Sequence, residues 1–311
     1  NDPRSVEHLR AMEAYENHVT RLPYEQERPF IIVGAGFAGA RAAQILTNYG
    51  YDVLVLDKGT IPGGRSSTKR RDHGAYNHGT DALKGEIYAD MRINELLEGT
   101  DVRCETKITS VQSKSDHVLL EDEKGFTWEA EAVLLTCPIP QLHPILHDLA
   151  PRAWREHPYA SNWTLICTGS EAVPQEIIDY TSDSIEIIRC GINDANSNVL
   201  IVQMGNEWSK KHLEKSRDAI VELILQELQP LESDWLKQAQ FHAHRWRFSR
   251  PITRPASLEH ERISCAGDAW AEPIGTIEAA MKSGEFAALE LIWKRHYAQN
   301  MKPISMQTTL F

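Results

Sequence analysis

Basic charge is scarce in this 311-residue sequence. Its 33 Lys and Arg stand against 44 Asp and Glu, a formal net charge of -11. A surface of that sign repels phosphate, which argues against nucleic acid as a partner. Long apolar runs are missing too. None nears the roughly 18 residues that a membrane helix needs, so no membrane association is expected. The charged start carries no apolar h-region, so no secretory leader is visible. Cysteine is sparse: Cys104, Cys137, Cys167, Cys190 and Cys265 make an odd number and form no C-x-x-C pair. That pattern argues against a disulfide framework and a zinc site, so no metal is expected. It suits reduced thiols in the cytoplasm, most of them small core residues. There is no internal repeat, no low-complexity tract and no second G-x-G-x-x-G, which argues against a separate NAD(P)H domain.

What is present begins with a globular composition, 41% hydrophobic and 25% charged. It is enough for one large or two interleaved domains. Phe30 to Val33 is an all-apolar run of the buried parallel-strand type. Gly34-x-Gly36-x-x-Gly39 follows it. Ala38 to Tyr49 is predicted as a helix, with Gly50 as its left-handed end, and Val53 to Asp57 as the next strand. Strand, glycine turn, helix and strand make a complete βαβ unit. Gly34 permits the tight turn, Gly36 leaves its backbone open to a pyrophosphate, and Gly39 lets helix and strand approach. With Ala35, Phe37 and Ala38 they form a candidate anion cradle at a helix N-terminus. Asp57, about 20 residues beyond Gly36 with Lys58 next to it, stands where a carboxylate accepts ribose hydroxyls.

Before this unit, Asp2-Pro3 and the spacing of Leu9, Met12, Tyr15, Val19 and Leu22 predict a helix. It is either a structural extension or an arm for a protein partner spanning residues 1–28. Further strands are expected at 101–111, 118–122, 132–136, 163–167, 185–190, 199–204 and 262–266. Helices are expected at 218–228 and 276–295.

Three later motifs choose between dinucleotides: Gly63-Gly64-Arg65, Gly267-Asp268, and Gly275-Thr276-Ile277-Glu278 with Ser283-Gly284. In this order they resemble the flavin-containing amine oxidase superfamily. The resemblance implies FAD, with Gly64 and Arg65 near the cofactor, Gly267 and Asp268 at the ribityl chain, and the helix after Thr276 and Ile277 aimed at the flavin ring. Its positive end would stabilise charge on the reduced ring.

Within that superfamily the chain is most similar to bacterial renalase-like proteins. The stretches that carry this are Asp72-His73-Gly74-Ala75-Tyr76, Val133 to Gln141, Asn206-Glu207-Trp208-Ser209 with His212-Leu213-Glu214, and His244-Arg245-Trp246-Arg247-Phe248. The similarity spans about residues 30–295 and implies that the Ile108 backbone contacts the adenine. The chain departs from the family where Tyr76 to Lys84 joins almost directly to Gly85, so the pocket is more open or is roofed by another segment.

The expected fold is α/β: a Rossmann-like FAD-binding domain from 29–145 and 238–296, with an inserted, reduced α+β substrate domain at 146–237. An extension (1–28) and a tail (297–311) flank it. Tyr76, His244 and Trp246 are the catalytic candidates. Trp246 either walls the flavin or is a core aromatic; Tyr76 faces the same alternative; His244 either moves protons or is structural. Lys69-Arg70-Arg71 either draws an anionic substrate, such as a phosphate-bearing nicotinamide, or is a solvated loop. The expected reaction carries a hydride from a C–H next to nitrogen to flavin N5, with oxygen reduced to peroxide. Two alternatives remain: an amine or amino-acid oxidase, and a flavin-bearing, non-catalytic subunit of an assembly.

Overall fold

The computed structural model describes residues 27–71, 74–79, 89–191 and 198–300. The expected helix before residue 27, the Asp72-His73 pair, the junction around Gly85 and most of the tail lie outside them.

Strand β1 (Phe30–Val33), helix α1 (Phe37–Asn48) and strand β2 (Val53–Leu56) open the chain. A ribbon of β3 (Thr68–Arg71) and β4 (Gly74–Asn77) follows, then α2 (Ala89–Leu96) and β5 (Asp101–Arg103). Next come β6 (Ile108–Ser113), β7 (Val118–Asp122), β8 (Thr127–Ala130), β9 (Ala132–Leu135) and α3 (Ile139–Leu146). The remainder comprises β10 (Tyr159–Thr168), α4 (Gln175–Ile178), β11 (Ile185–Cys190), β12 (Val199–Met204), α5 (Asn206–Lys211), α6 (Arg217–Leu228), α7 (Asp234–Gln238), β13 (Gln240–Pro251), β14 (Ile263–Cys265) and α8 (Ile277–Asn300).

The central sheet is parallel, in the order β14-β9-β1-β2-β5. Its register pairs Phe30 with both Val53 and Ala132. Its strands are apolar at nearly every position because both faces are covered. Phe30 and Ile32 pack with α1 and α8 on one face; Ile31 and Val33 pack with α3 and β6 to β8 on the other. Ile31, Ile32, Leu134 and Leu135 are essentially inaccessible, each worth about 1.5–3 kcal/mol against exposure. Helices α1 and α8 approach closely enough that a Cβ at Gly284 would overlap the Ala38 carbonyl.

A second, antiparallel sheet has the order β11-β12-β10-β13. Alternation along β10 sends Trp163, Leu165 and Cys167 toward α6. Ile166 faces the other way, with Ile201 and Tyr76. Arg189 and Gln203 of this sheet donate to the carbonyls of Asn77 and Gly79, at 2.8 Å and 2.7 Å, and pin the end of the ribbon against it.

Three expectations need correction. Strand β13 was not among the expected elements, because its inward residues are His and Trp rather than aliphatic. Helix α8 continues to Asn300, beyond the start expected for the tail. The single strand expected at 101–111 is two, β5 in the central sheet and β6 in a separate sheet with β7 and β8. As expected for small core residues, Cys167 is buried and Cys137, Cys190 and Cys265 pack against the cores; all five are free thiols.

Candidate active site

A cleft of about 1220 Å³ opens at the carboxyl ends of the parallel strands and runs beneath the second sheet. Crevices at that edge of an open α/β sheet are where ligands bind. Its volume exceeds the ~300–1,000 Å³ of an ordinary small-molecule pocket, leaving room for a dinucleotide beside a second molecule.

The glycine turn builds one end. Gly34 has φ +109°, and an added Cβ there would overlap Thr136 Oγ1. At Gly39 a Cβ would collide with the Gly34 carbonyl, so this glycine sets the spacing between α1 and β1. Gly36 differs: a Cβ there would meet only the Gly63 carbonyl, 4.0 Å away. Its Cα faces the open cleft, as a phosphate cradle requires. The first turn of α1 has neither an acidic residue nor a side-chain cap, so its N–H groups are left to an anion. Phe37 and Ala38 line the cleft there, whereas Ala35 and Gly39 serve the turn itself.

Asp57 is tied into this turn. Its two oxygens accept from the N–H groups of Ala35 and Gly59, both at 2.6 Å. A carboxylate has about four acceptor sites, so capacity remains for ribose hydroxyls. Lys58 donates to Gln141 at 3.1 Å on the rim, and Ile108 lines the cleft from the small sheet.

Gly267 and Asp268 follow β14, two strands from β1. At about 4.8 Å per strand the two turns lie about 10 Å apart, within the span of one flavin nucleotide. Asp268 is 7% exposed and receives both arms of Arg65, at 2.6 Å and 2.8 Å. Burial works against the Arg65 charge, but Asp268 more than offsets it, and the guanidinium titrates above its ordinary value. Thr276 caps α8 by accepting from the Ala279 N–H at 3.1 Å, and Ile277 begins the helix. Gly64 sits in the short helical turn beside Gly36.

The opposite wall comes from β13 and the ribbon. Along β13, alternation points His242, His244 and Trp246 into the cleft while Ala243 enters the core. His78, absent from the sequence candidates, joins them. Its ring centroid lies 4.6 Å from His244 and 5.1 Å from Trp246, and its carbonyl accepts the Trp246 indole N–H at 3.0 Å. Tyr76 is half-buried on the same side, packed against Ile166, Val199 and Ile201.

Two imidazoles of this wall, His78 and His244, are uncharged near neutral pH. Burial, then His244 and Lys69, push His78 down to about 3. Burial, then His242 and Arg217, push His244 down to about 4. Of the two readings of His244, a carrier of protons or a structural residue, a neutral imidazole at pH 7 favours the second. Burial raises Cys137 to about 11 and, with Asp268, raises Tyr159 to about 12. Cys137, which lines the cleft beside Thr136 at the end of β9, was also missed as a site residue. For β13 the signal was present in the sequence as His242-x-His244-x-Trp246-x-Phe248, a period-two pattern of rings. Among the described residues no cluster of His, Cys, Asp or Glu could hold a metal ion, and no helix is long and apolar enough to cross a membrane.

Fold and cleft together define a Rossmann-type flavoprotein. Residues 32–97 match the NAD(P)-binding Rossmann-like domain, and residues 77–292 match the flavin-containing amine oxidoreductase model. The chain belongs to the flavin-containing amine oxidoreductase family and is an FAD-dependent oxidoreductase. Among solved structures it is similar to a putative protoporphyrinogen oxidase from Exiguobacterium sp. 255-15, with TM-score 0.66 and 13% identity over 86% of this chain and 99% of that one. A variant of putrescine oxidase redesigned in its cofactor binding superposes with TM-score 0.61 and 12% identity, covering 85% and 99%. A curated relative, bilirubin reductase from Mediterraneibacter gnavus (strain CC55_001C), is 23% identical over 123 residues, 38% of this chain and 19% of that protein. The matched stretch is thus about a fifth of that relative's length.

Proposed function

We propose that the protein oxidises a C–H bond next to nitrogen, in a dihydronicotinamide-like or amine substrate, with oxygen as the final acceptor. FAD, when bound, supplies N5 as hydride acceptor and passes two electrons and two protons on to oxygen as hydrogen peroxide. The observation that carries this reading is a single cleft with two kinds of wall. The glycine turn and Asp268 line it from the parallel sheet; His78, His244 and Trp246 line it from the ribbon and β13.

The residues present fit the cofactor. The α1 N-terminus and Gly36 receive the pyrophosphate, and Asp57 takes ribose hydroxyls. The Arg65–Asp268 pair gives the ribityl chain a fixed set of polar partners. Trp246 orients a flat substrate. His78, His244, Tyr159 and Cys137 keep their uncharged forms at neutral pH. Neutral imidazoles suit hydride transfer, which needs no strong base at the carbon.

The test is direct. The purified protein is to show an oxidised-flavin spectrum and to release FAD on denaturation. Anaerobic mixing with dihydronicotinamide isomers, then with a panel of amines and amino acids, is to bleach that spectrum. Admitting air is to restore it with stoichiometric peroxide. A flavin that no member of either panel bleaches ends the proposal.

A further inference from the structure

The far end of the cleft holds a cation that the nucleotide end does not use. In the ribbon, Lys69 stands directly opposite Tyr76, and opposite partners share a face. Both line the cleft with His78. Among the described residues Lys69 has no carboxylate or hydrogen-bond partner. The other cleft cations are engaged: Arg65 by Asp268, Lys107 by Glu123, and Arg245 and Arg247 by Glu214. Lys58 is held by Gln141. The cleft carboxylates, Asp57 and Asp268, are both bound at the nucleotide end. Behind His244 a second cavity of about 310 Å³ is walled partly by Lys215, Arg217 and Arg245. The substrate end is thus positive in a protein of net charge -11.

We propose that the substrate carries an acidic group, a carboxylate or phosphate on a flat ring, and that this oxyanion pairs with Lys69 while the ring lies against Trp246. The proposal rests on the reading above and narrows its substrate class. A half-buried ammonium with no counter-ion among the described residues attracts an anion with little screening and repels a simple alkyl amine.

The flavin-loaded protein is titrated with benzoate and phenyl phosphate, then with benzamide and benzylamine, by flavin spectral shift and by calorimetry. Both anions are expected to bind about ten-fold or more tightly than benzamide, and benzylamine not at all. Lys69→Gln is expected to weaken benzoate about ten-fold, without changing benzamide or flavin content, and Lys69→Arg to restore it. Benzamide binding as tightly as benzoate overturns the proposal; so does benzoate affinity in Lys69→Gln equal to that of the unaltered protein. Should Lys69→Gln fail to fold, the benzoate–benzamide comparison decides alone. Benzoate held at Lys69 beside a flavin that no nitrogen substrate reduces would sink the proposed reaction and leave the anion site standing. Reduction by uncharged amines without benzoate binding would do the reverse.

Discussion

At the Rossmann end of the cleft, the charged side chains next to the glycine turns are held by neighbours. Asp57 is clamped by two backbone N–H groups, and Asp268 by both arms of Arg65. Under the antiparallel sheet the wall is aromatic rings and uncharged imidazoles, and Lys69 stands there without a counter-ion among the described residues. The first arrangement is finished before any ligand arrives, so it suits a cofactor whose shape never changes. The second is left electrostatically incomplete, so it suits a molecule that comes and goes and brings the missing charge. Rigidity at one end and an open valence at the other is a division of labour that a flavin enzyme needs.

Breaking the finished end carries the largest effects. Asp268→Asn strands Arg65 in a site where the guanidinium is about three-quarters buried. It is expected to cost about 3 kcal/mol, read by denaturant unfolding, together with most of the retained FAD. An unchanged midpoint would show that the pair is not structural. Gly39→Ala places a Cβ into the Gly34 carbonyl and is expected to cost about 2–3 kcal/mol. Gly36→Ala, facing open space, is expected to keep its melting temperature while losing flavin. Equal melting losses in the two variants would remove the distinction drawn between them.

The substrate end is probed by pH. His78 and His244 titrate at about 3 and about 4 in the folded chain, against the ordinary 6.5. Below 6.5 the unfolded chain takes up protons that the folded chain refuses. Stability is therefore complete above about pH 7 and declines as pH falls through 6.5 toward 3. The expected loss at pH 5 is about 2 kcal/mol per histidine, about 4 kcal/mol together, and His78→Phe should flatten about half of the slope. A stability curve level from pH 7 to 5 would count against the buried, neutral wall. The smallest effect is expected from Trp246→Phe, which keeps a ring but removes the 3.0 Å bond to the His78 carbonyl. About 1 kcal/mol is expected, with a shifted flavin spectrum as the more sensitive readout.

Much of the cofactor end was legible in the order of residues. The apolar run at Phe30, the glycine spacing after it, Asp57 and Gly267-Asp268 each act through backbone geometry, and backbone geometry is local. The substrate end was half legible. His244, Trp246 and Tyr76 stood out as candidates and do line the cleft. His78 did not, since a histidine alone has no spacing to reveal it; His242 was legible only through the period-two rings of β13. Lys69 read equally well as a solvated loop. Only its place opposite Tyr76 in the ribbon turns it toward the cleft. The two readings of His244 stayed open because burial, which lowers its pKa, is not written in its neighbours along the chain.

The amino-acid sequence by itself determined the βαβ cradle, the flavoprotein class and the net negative charge, because each follows from residues close in the chain or from a simple sum. The tertiary structure decided which side chains face the substrate and which stay uncharged. Trp246 and His78 are 168 positions apart, yet share a hydrogen bond. Their contact exists only because two strands of one sheet, β11 and β12, hold the ribbon's end against it, and desolvation there depends on everything packed around them.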